Sequence, residues 1–195
     1  MNMTLNRETL LTLEAYHKAR PTLRAAVIAA KNLRRVFLGE HIVLIFENEL
    51  LIHYQIQEML RVEKIFDEEG IQHELESYLP LVPDGTNLKA TMQIEYADES
   101  QRKVMLAKLK GVEDQVWVRI DGFPAVLAIA DEDMDRENEE KTAAVHFLRF
   151  EFTPQMIAAA KAGAALSVGV NHSNYQAETG PLVPAAQASL VADFR

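Results

Sequence analysis

The sequence contains no cysteine among its 195 residues. This absence excludes disulfide bonds, iron–sulfur clusters held by thiolates, thiolate zinc sites and a cysteine nucleophile. Long apolar runs are also missing, since stretches such as 25–30 and 125–130 are far shorter than the roughly 18 residues that a membrane-spanning helix requires. The first residues lack the apolar run of a signal peptide. We therefore expect a cytoplasmic protein that has no membrane partner.

The chain is also poor in positive charge relative to negative charge. Its 20 Lys and Arg residues against 29 Asp and Glu residues give a formal net charge of −9. Because phosphate backbones repel such an anion, we expect no nucleic acid as a partner. The charge is uneven, with a net +5 on residues 1–38 and a net −14 on the remainder. We expect a single domain over residues 1–195, made of a basic helical segment (1–38) and an α+β body (39–195).

The N-terminal segment predicts two helices. Asn6 is placed to cap a helix that begins near Arg7, and Pro21 fits the first turn of a second helix ending near Arg35. On a helical wheel, basic residues of this second segment form one stripe beside an apolar face. The stripe is either a solvated or internally paired face, or a dock for an anionic partner. Its members are Arg20, Arg24, Lys31, Arg34 and Arg35.

The rest of the chain mixes strand and helix patterns. Residues 42–46 and 50–54 predict a hairpin, followed by a helix that ends at Gly70 and a short helix over 71–78. The second half predicts strands at 89–96, 116–120, 125–130, 145–152 and 166–170, with helices at 99–109, 154–162 and 184–191. These elements indicate an α+β fold with a mixed, largely antiparallel sheet, N-terminal helices, and further helices packed on the sheet.

Metal-binding motifs are weak. Glu69, His73 and Glu76 share a helical face, but the expected helix break at Gly70 argues against a metal site there. The acidic stretch 131–141 starts like a calcium loop and then lacks the required glycine and glutamate, so it predicts a solvated loop. Nucleotide-binding glycine motifs and a serine nucleophile elbow do not occur. We predict no cofactor.

Charged residues within apolar surroundings are the remaining candidates for a binding site. Each of them is more often a satisfied structural group than a functional one. If a cleft collects them, their mixture of charges suits a small anionic or zwitterionic ligand, with Arg61 or Arg149 as a bidentate clamp. Glu58 and Arg61 are spaced to pair on one helix, whereas His146 and Arg149 should point to opposite faces of their strand. The candidate ligand-binding residues are Glu58, Arg61, Lys89, His146 and Arg149.

Several long segments resemble a bacterial family known as a conserved domain of unknown function. They are Tyr16–Arg20 with Pro21, Gln55–Glu63, Pro83–Thr91, Ala128–Asp133 and Lys141–Glu151. The resemblance covers nearly the whole chain and assigns no activity. Members of the family are often encoded beside rubrerythrin-like and iron–sulfur oxidoreductase-like proteins, which implies an accessory role in redox or peroxide defence.

The sequence leaves three functions open. The first is a cytoplasmic accessory protein or small-anion-binding protein. It would form a homo-oligomer, most simply a dimer, and its partner would be a redox protein. The second is an enzyme acting on a small polar substrate, either metal-assisted or using His146 as general base with Glu58 or Glu63 nearby. Catalytic residues are not assigned by the sequence. A third reading, a membrane-surface protein using the basic stripe, has weak support because its apolar face is rich in alanine.

Overall fold

The structure, a computed structural model, describes residues 5–130 and 141–195. Within these ranges it has six α-helices and two antiparallel sheets, which confirms the predicted α+β class. The chain packs as two compact units, the first made of residues 1–33 and 47–83, the second of residues 34–46 and 84–195. The expected single domain stays a prediction. Residues 131–140 of the predicted acidic loop lie outside the described part of the chain.

The first unit is helical. Its core consists of apolar side chains from an N-terminal segment and from the second and third of its three helices. Asn48 and Asp67 cap these two helices, because their side-chain oxygens accept hydrogen bonds from backbone N–H groups of the first turn. The helices are α1 (Leu13–Arg34, whose last residue belongs to the second unit), α2 (Glu49–Glu63) and α3 (Glu68–Tyr78). The buried core residues are Leu5, Leu10, Ile52, Ile56, Leu60, Ile71 and Leu75.

The predicted pair of N-terminal helices is wrong. Asn6 caps only a 3-10 turn, Arg7–Thr9, and α1 then continues through Pro21 without a break. A proline inside a helix removes one backbone hydrogen bond. The helix continues because it buries Tyr16 and Val27 on either side of that position, and packing outweighs local propensity.

The predicted hairpin over 42–46 and 50–54 is also wrong in its second half. Residues 50–54 lie in α2 because Asn48 accepts a hydrogen bond from the Leu51 N–H (3.0 Å) and starts a helix there. Lys64, with a φ of 58°, then ends α2 earlier than expected. Gly70 does not stop a helix but lies in the first turn of α3, where its N–H donates to Asp67 (2.8 Å).

The second unit contains both sheets. One has the order β1-β2-β3-β7-β6 and the other β5-β4-β8-β9, all antiparallel. The strands are β1 (Arg35–Leu38), β2 (Ile42–Phe46), β3 (Asn87–Ile94), β4 (Val116–Ile120), β5 (Val126–Leu127), β6 (Ile129–Ala130), β7 (Val145–Glu151), β8 (Leu166–His172) and β9 (Tyr175–Glu178); the helices are α4 (Glu99–Lys108), α5 (Pro154–Lys161) and α6 (Pro184–Val191). Apolar side chains of the two sheets contribute to one core cluster.

The predicted strand at 125–130 is divided between the two sheets. Its first part, β5, pairs with β4 as expected for a hairpin, whereas its second part, β6, pairs with β7 of the other sheet. The apolar pattern of 125–130 is continuous, so it does not reveal the crossing. β1 and β9 were not predicted, because both are short strands of four residues.

A buried arginine holds the end of α1 within the second unit. Arg34, 1% exposed, donates to the Phe46 carbonyl (2.7 Å) and the Ser189 carbonyl (2.6 Å), and it forms an ion pair with Asp193. The basic stripe is therefore not a uniformly solvated face. Arg24 and Arg35 are exposed, but Arg34 is part of the core.

Candidate functional site

Two arginines and a tyrosine converge on one carboxylate in the first unit. Arg20 of α1 donates through Nε and Nη2 to the two Glu58 oxygens (2.7 and 2.9 Å), a bidentate contact. Arg61, three residues from Glu58 on α2, donates to the same two oxygens (3.3 and 3.1 Å). The Tyr16 hydroxyl donates to Glu58 Oε1 at 2.6 Å. We call these four residues the arginine cluster.

Local helix geometry explains how the arginine cluster forms. Tyr16 and Arg20 are four residues apart on α1, and Glu58 and Arg61 are three apart on α2, so each pair shares a helix face. Tyr16 is fully buried, and its ring lies edge-on to Tyr54 with centroids 6.4 Å apart. The buried ring fixes the side of α1 that meets α2.

The electrostatics keep the cluster in one protonation state near neutral pH. The Arg20 guanidinium, followed by the Arg61 and Tyr16 donors, lowers the pKa of Glu58 far below its ordinary value, although burial opposes the shift. Burial, and then the hydrogen bond to Glu58, raises the pKa of Tyr16. The hydrogen bond to Glu58 likewise raises the pKa of Arg20. Glu58 is therefore a carboxylate, Tyr16 a phenol and both arginines are cations.

The cluster carries an excess positive charge that reaches solvent. Two guanidinium groups face one carboxylate, which leaves a net charge of +1. The Glu58 side chain is only 18% exposed, but those of Arg20 and Arg61 are 34% and 39% exposed. A guanidinium has five N–H donors, and two contacts to Glu58 leave further donors on each arginine. The arrangement can accept a small oxyanion on its outer side.

Lys89 and Arg149 lie in the second unit, directly opposite each other on β3 and β7. Arg149 forms an ion pair with Glu151, whose Oε1 also accepts a hydrogen bond from Asn87 (2.9 Å). Both basic side chains are half-buried. The structure thus brings Lys89 and Arg149 together, and it places Glu58 and Arg61 in the other unit. That all of them bind one ligand stays a prediction.

His146 faces the core, on the opposite face of β7 from Arg149, as the strand alternation predicted. It is fully buried, and its Nε2 lies 2.9 Å from Thr142 Oγ1 and 3.0 Å from the Ala143 carbonyl. The carboxylate beside it in the described part of the chain is Glu113, at 3.8 Å. A group with no exposed surface cannot meet a substrate in this conformation. The geometry supports a structural role for His146.

The weak metal candidates lie on one exposed face of α3. Glu69, His73 and Glu76 border a shallow depression, and Glu76 accepts a hydrogen bond from Gln72 (2.8 Å). The argument that Gly70 interrupts their helix is wrong, since α3 includes it. Even so, no three or more His, Asp or Glu side chains within residues 5–130 and 141–195 are arranged to hold a metal ion.

Sequence reasoning missed two members of the arginine cluster and two residues next to His146. Tyr16 and Arg20 carry a usable signal, because their spacing puts a phenol and a cation on one helix face. Glu113 and Thr142 carry none, since one lies in a 3-10 turn before β4 and the other precedes β7, and only packing brings them together.

Within the described ranges, no helix is both long and apolar enough to cross a membrane.

Comparisons with known proteins place the chain next to others without an assigned activity. A family model described as "Protein of unknown function (DUF3501)" matches residues 4–194. A crystal structure of a protein of unknown function from Burkholderia pseudomallei is similar at 56% sequence identity and a TM-score of 0.93, over 99% of this chain and 100% of that chain. No curated protein matches this chain.

Proposed function

Because the chain belongs to the DUF3501 family of proteins of unknown function, which assigns it no activity, we propose a function from the arginine cluster: binding of a small oxyanion. The observation that carries the proposal is the convergence of Arg20 and Arg61 on Glu58. Glu58 holds the two guanidinium groups side by side and cancels only one of their two positive charges. Planar guanidinium groups match the geometry of phosphate and carboxylate oxygens, so the ligand class is a phosphate or a carboxylate.

The surroundings support this proposal. Arg24 lies one turn beyond Arg20 on α1 and is exposed, as is His17 one turn before Pro21. The whole chain has a formal net charge of −9, so a site with a net positive charge is unusual on this protein. An anion bound on the outer side gains charge-assisted hydrogen bonds that need no rearrangement of the cluster.

Titration with inorganic phosphate at constant ionic strength tests the proposal. We expect one saturable binding event per chain by calorimetry, and Arg61→Ala should weaken it by about tenfold or more, since a hydrogen bond to a charged group contributes about 1.5–3 kcal/mol. Removing this exposed arginine should cost little stability, about 0–1 kcal/mol.

Arg7→Ala is the matched control. Arg7 belongs to the same unit and forms an exposed ion pair with Glu68 (2.7 Å), but there one arginine meets one carboxylate and no charge is left over. Phosphate affinity should be unchanged in this variant. Equal losses in both variants, or no saturable binding by the wild-type protein, would contradict an anion site at the cluster.

We further propose that the protein acts in the cytoplasm as a homodimeric accessory protein whose partner is an acidic redox protein. The exposed side of α1 supports a docking role, because Ile28 (45% exposed) and Leu33 (42% exposed) lie on the same helix as the exposed Arg24. A carboxylate on such a partner has the same chemistry as the small anion.

The partner proposal is tested by sedimentation with a purified rubrerythrin-like protein. We expect a dimer when the protein is alone and a larger complex in the mixture, and Arg24→Glu should weaken that complex because it reverses a charge on the docking helix. If the protein sediments as a monomer and forms no complex with the rubrerythrin-like protein, both the proposed dimer and the proposed partner are contradicted.

A further inference from the structure

A cavity that differs chemically from the arginine cluster lies in the second unit, on the side of the four-stranded sheet that faces away from its apolar core. It has a volume of about 310 Å³, and the residues that line it include Arg119, Asp121, Ser167, Glu178 and Thr179. The strand register explains how they meet. Arg119 of β4 lies opposite Ser167 of β8, and Gly169 of β8 lies opposite Glu178 of β9.

The arginine in this cavity is held in place by the protein's one tryptophan. The Arg119 guanidinium carbon lies 4.9 Å from the centroid of the Trp117 ring, a cation–π position. The ring in turn lies over Gly169, where an added Cβ would be 2.2 Å from a ring carbon. A side chain at position 169 would therefore clash with the Trp117 ring in its present position. The guanidinium is thus positioned while its N–H groups remain open to solvent.

Space and unused charge remain in the cavity. Gly180 borders it, and a Cβ built on that residue meets nothing within 4 Å. In the described part of the chain, Arg119 forms no ion pair with Asp121 or Glu178, although all three border the same cavity. The cavity therefore offers one cation and two carboxylates that are not neutralised by one another.

We infer that this cavity binds a basic amino acid, with the ligand carboxylate on Arg119 and its two ammonium groups on Asp121 and Glu178. Charge complementarity carries the assignment: one cation and two anions in the cavity match one anion and two cations in the ligand. The Ser167 hydroxyl, which makes no hydrogen bond to a described residue, is available to the ligand as donor or acceptor. The inference concerns the second unit and does not depend on the arginine cluster.

Free L-lysine is the probe, and Trp117 is the reporter, because it is the only tryptophan and contacts Arg119. We expect a saturable change in tryptophan emission with lysine. Norleucine has the same carbon chain without the second ammonium group, so its affinity should be lower than that of lysine by about fivefold or more. Acetate should produce no saturable change.

Variants assign the contacts. By calorimetry, Arg119→Ala and Glu178→Gln should each weaken lysine binding by about fivefold or more. Arg35→Ala and Asp114→Asn, which remove exposed charges elsewhere in the second unit, should leave it unchanged. The inference is overturned if lysine produces no saturable change in the wild-type protein, if norleucine binds as well as lysine, or if the control variants lose as much affinity as Arg119→Ala.

Discussion

Replacing Arg34 by alanine is expected to lower the free energy of unfolding by about 3–5 kcal/mol at pH 7. Arg34 is almost fully buried, and it donates to two backbone carbonyls besides forming the ion pair with Asp193. The alanine variant leaves a cavity, two carbonyls without their donor, and the Asp193 carboxylate in a mostly buried position without its cation. Urea unfolding followed by circular dichroism measures the change.

The pH dependence of the Arg34→Ala variant distinguishes the lost charge from the lost volume. Burial raises the pKa of Asp193 above its ordinary 3.8, and Arg34 opposes that rise. Without Arg34 the pKa rises further, so the folded variant takes up a proton more readily than the unfolded chain does. Its stability relative to the wild type should therefore recover as the pH falls toward 4.

The double variant Arg34→Ala with Asp193→Asn is the control for this effect. It has no carboxylate to protonate, so its stability deficit should not recover at low pH. At pH 7 it should be more stable than Arg34→Ala alone, because no unpaired charge remains buried. A loss of less than 1 kcal/mol in Arg34→Ala would show that the buried ion pair contributes little to folding.

Replacing Glu58 by glutamine is expected to change stability and anion binding in opposite directions. The free energy of unfolding should fall by about 2 kcal/mol at pH 7, since one mostly buried carboxylate with three donors is lost. The net charge of the arginine cluster rises from +1 to +2, so phosphate should bind about fivefold more tightly. Thermal unfolding and phosphate calorimetry on one preparation measure both effects.

Two further observations make this test specific. Phosphate should restore part of the stability of Glu58→Gln, because a ligand bound only by the folded state stabilises it by mass action. The pKa of Glu58 is lowered in the folded protein, so its stabilisation is complete above its ordinary pKa of 4.5 and is lost as the pH falls below that value. The stability difference between wild type and variant should therefore be constant from pH 7 to about 5. Unchanged phosphate affinity in Glu58→Gln would show that the cluster only joins two helices.

The site residues illustrate how far sequence patterns extend. The spacing of Glu58 and Arg61 predicted their contact, because three residues span one turn of α2. The same pattern says nothing of Arg20, which is 38 residues from Glu58 in the chain and makes the shorter hydrogen bonds to it. Lys89 and Arg149 were singled out as charges within strands, but their cross-strand pairing follows only from the register of β3 and β7.

The sequence by itself determined the class of fold and most of the second unit. Alternating or consecutive apolar residues specified β3, β4, β7 and β8, and turn residues, capping residues or an initial proline specified α4 to α6, because a strand or a short helix depends on a few neighbouring residues. Composition alone determined that no chemistry of this chain uses a thiol.

Only the tertiary structure decided the roles of the charged residues. Arg34 was predicted on a basic stripe and is instead a core residue, because Asp193 and Ser189, more than 150 positions away, supply its partners. The division of the apolar run 125–130 between two sheets has the same cause, because its partner strands β4 and β7 come from other parts of the chain. A local pattern fixes the period of an element, whereas its partners depend on which distant surfaces pack together and on the requirement that every buried charge find an opposite one.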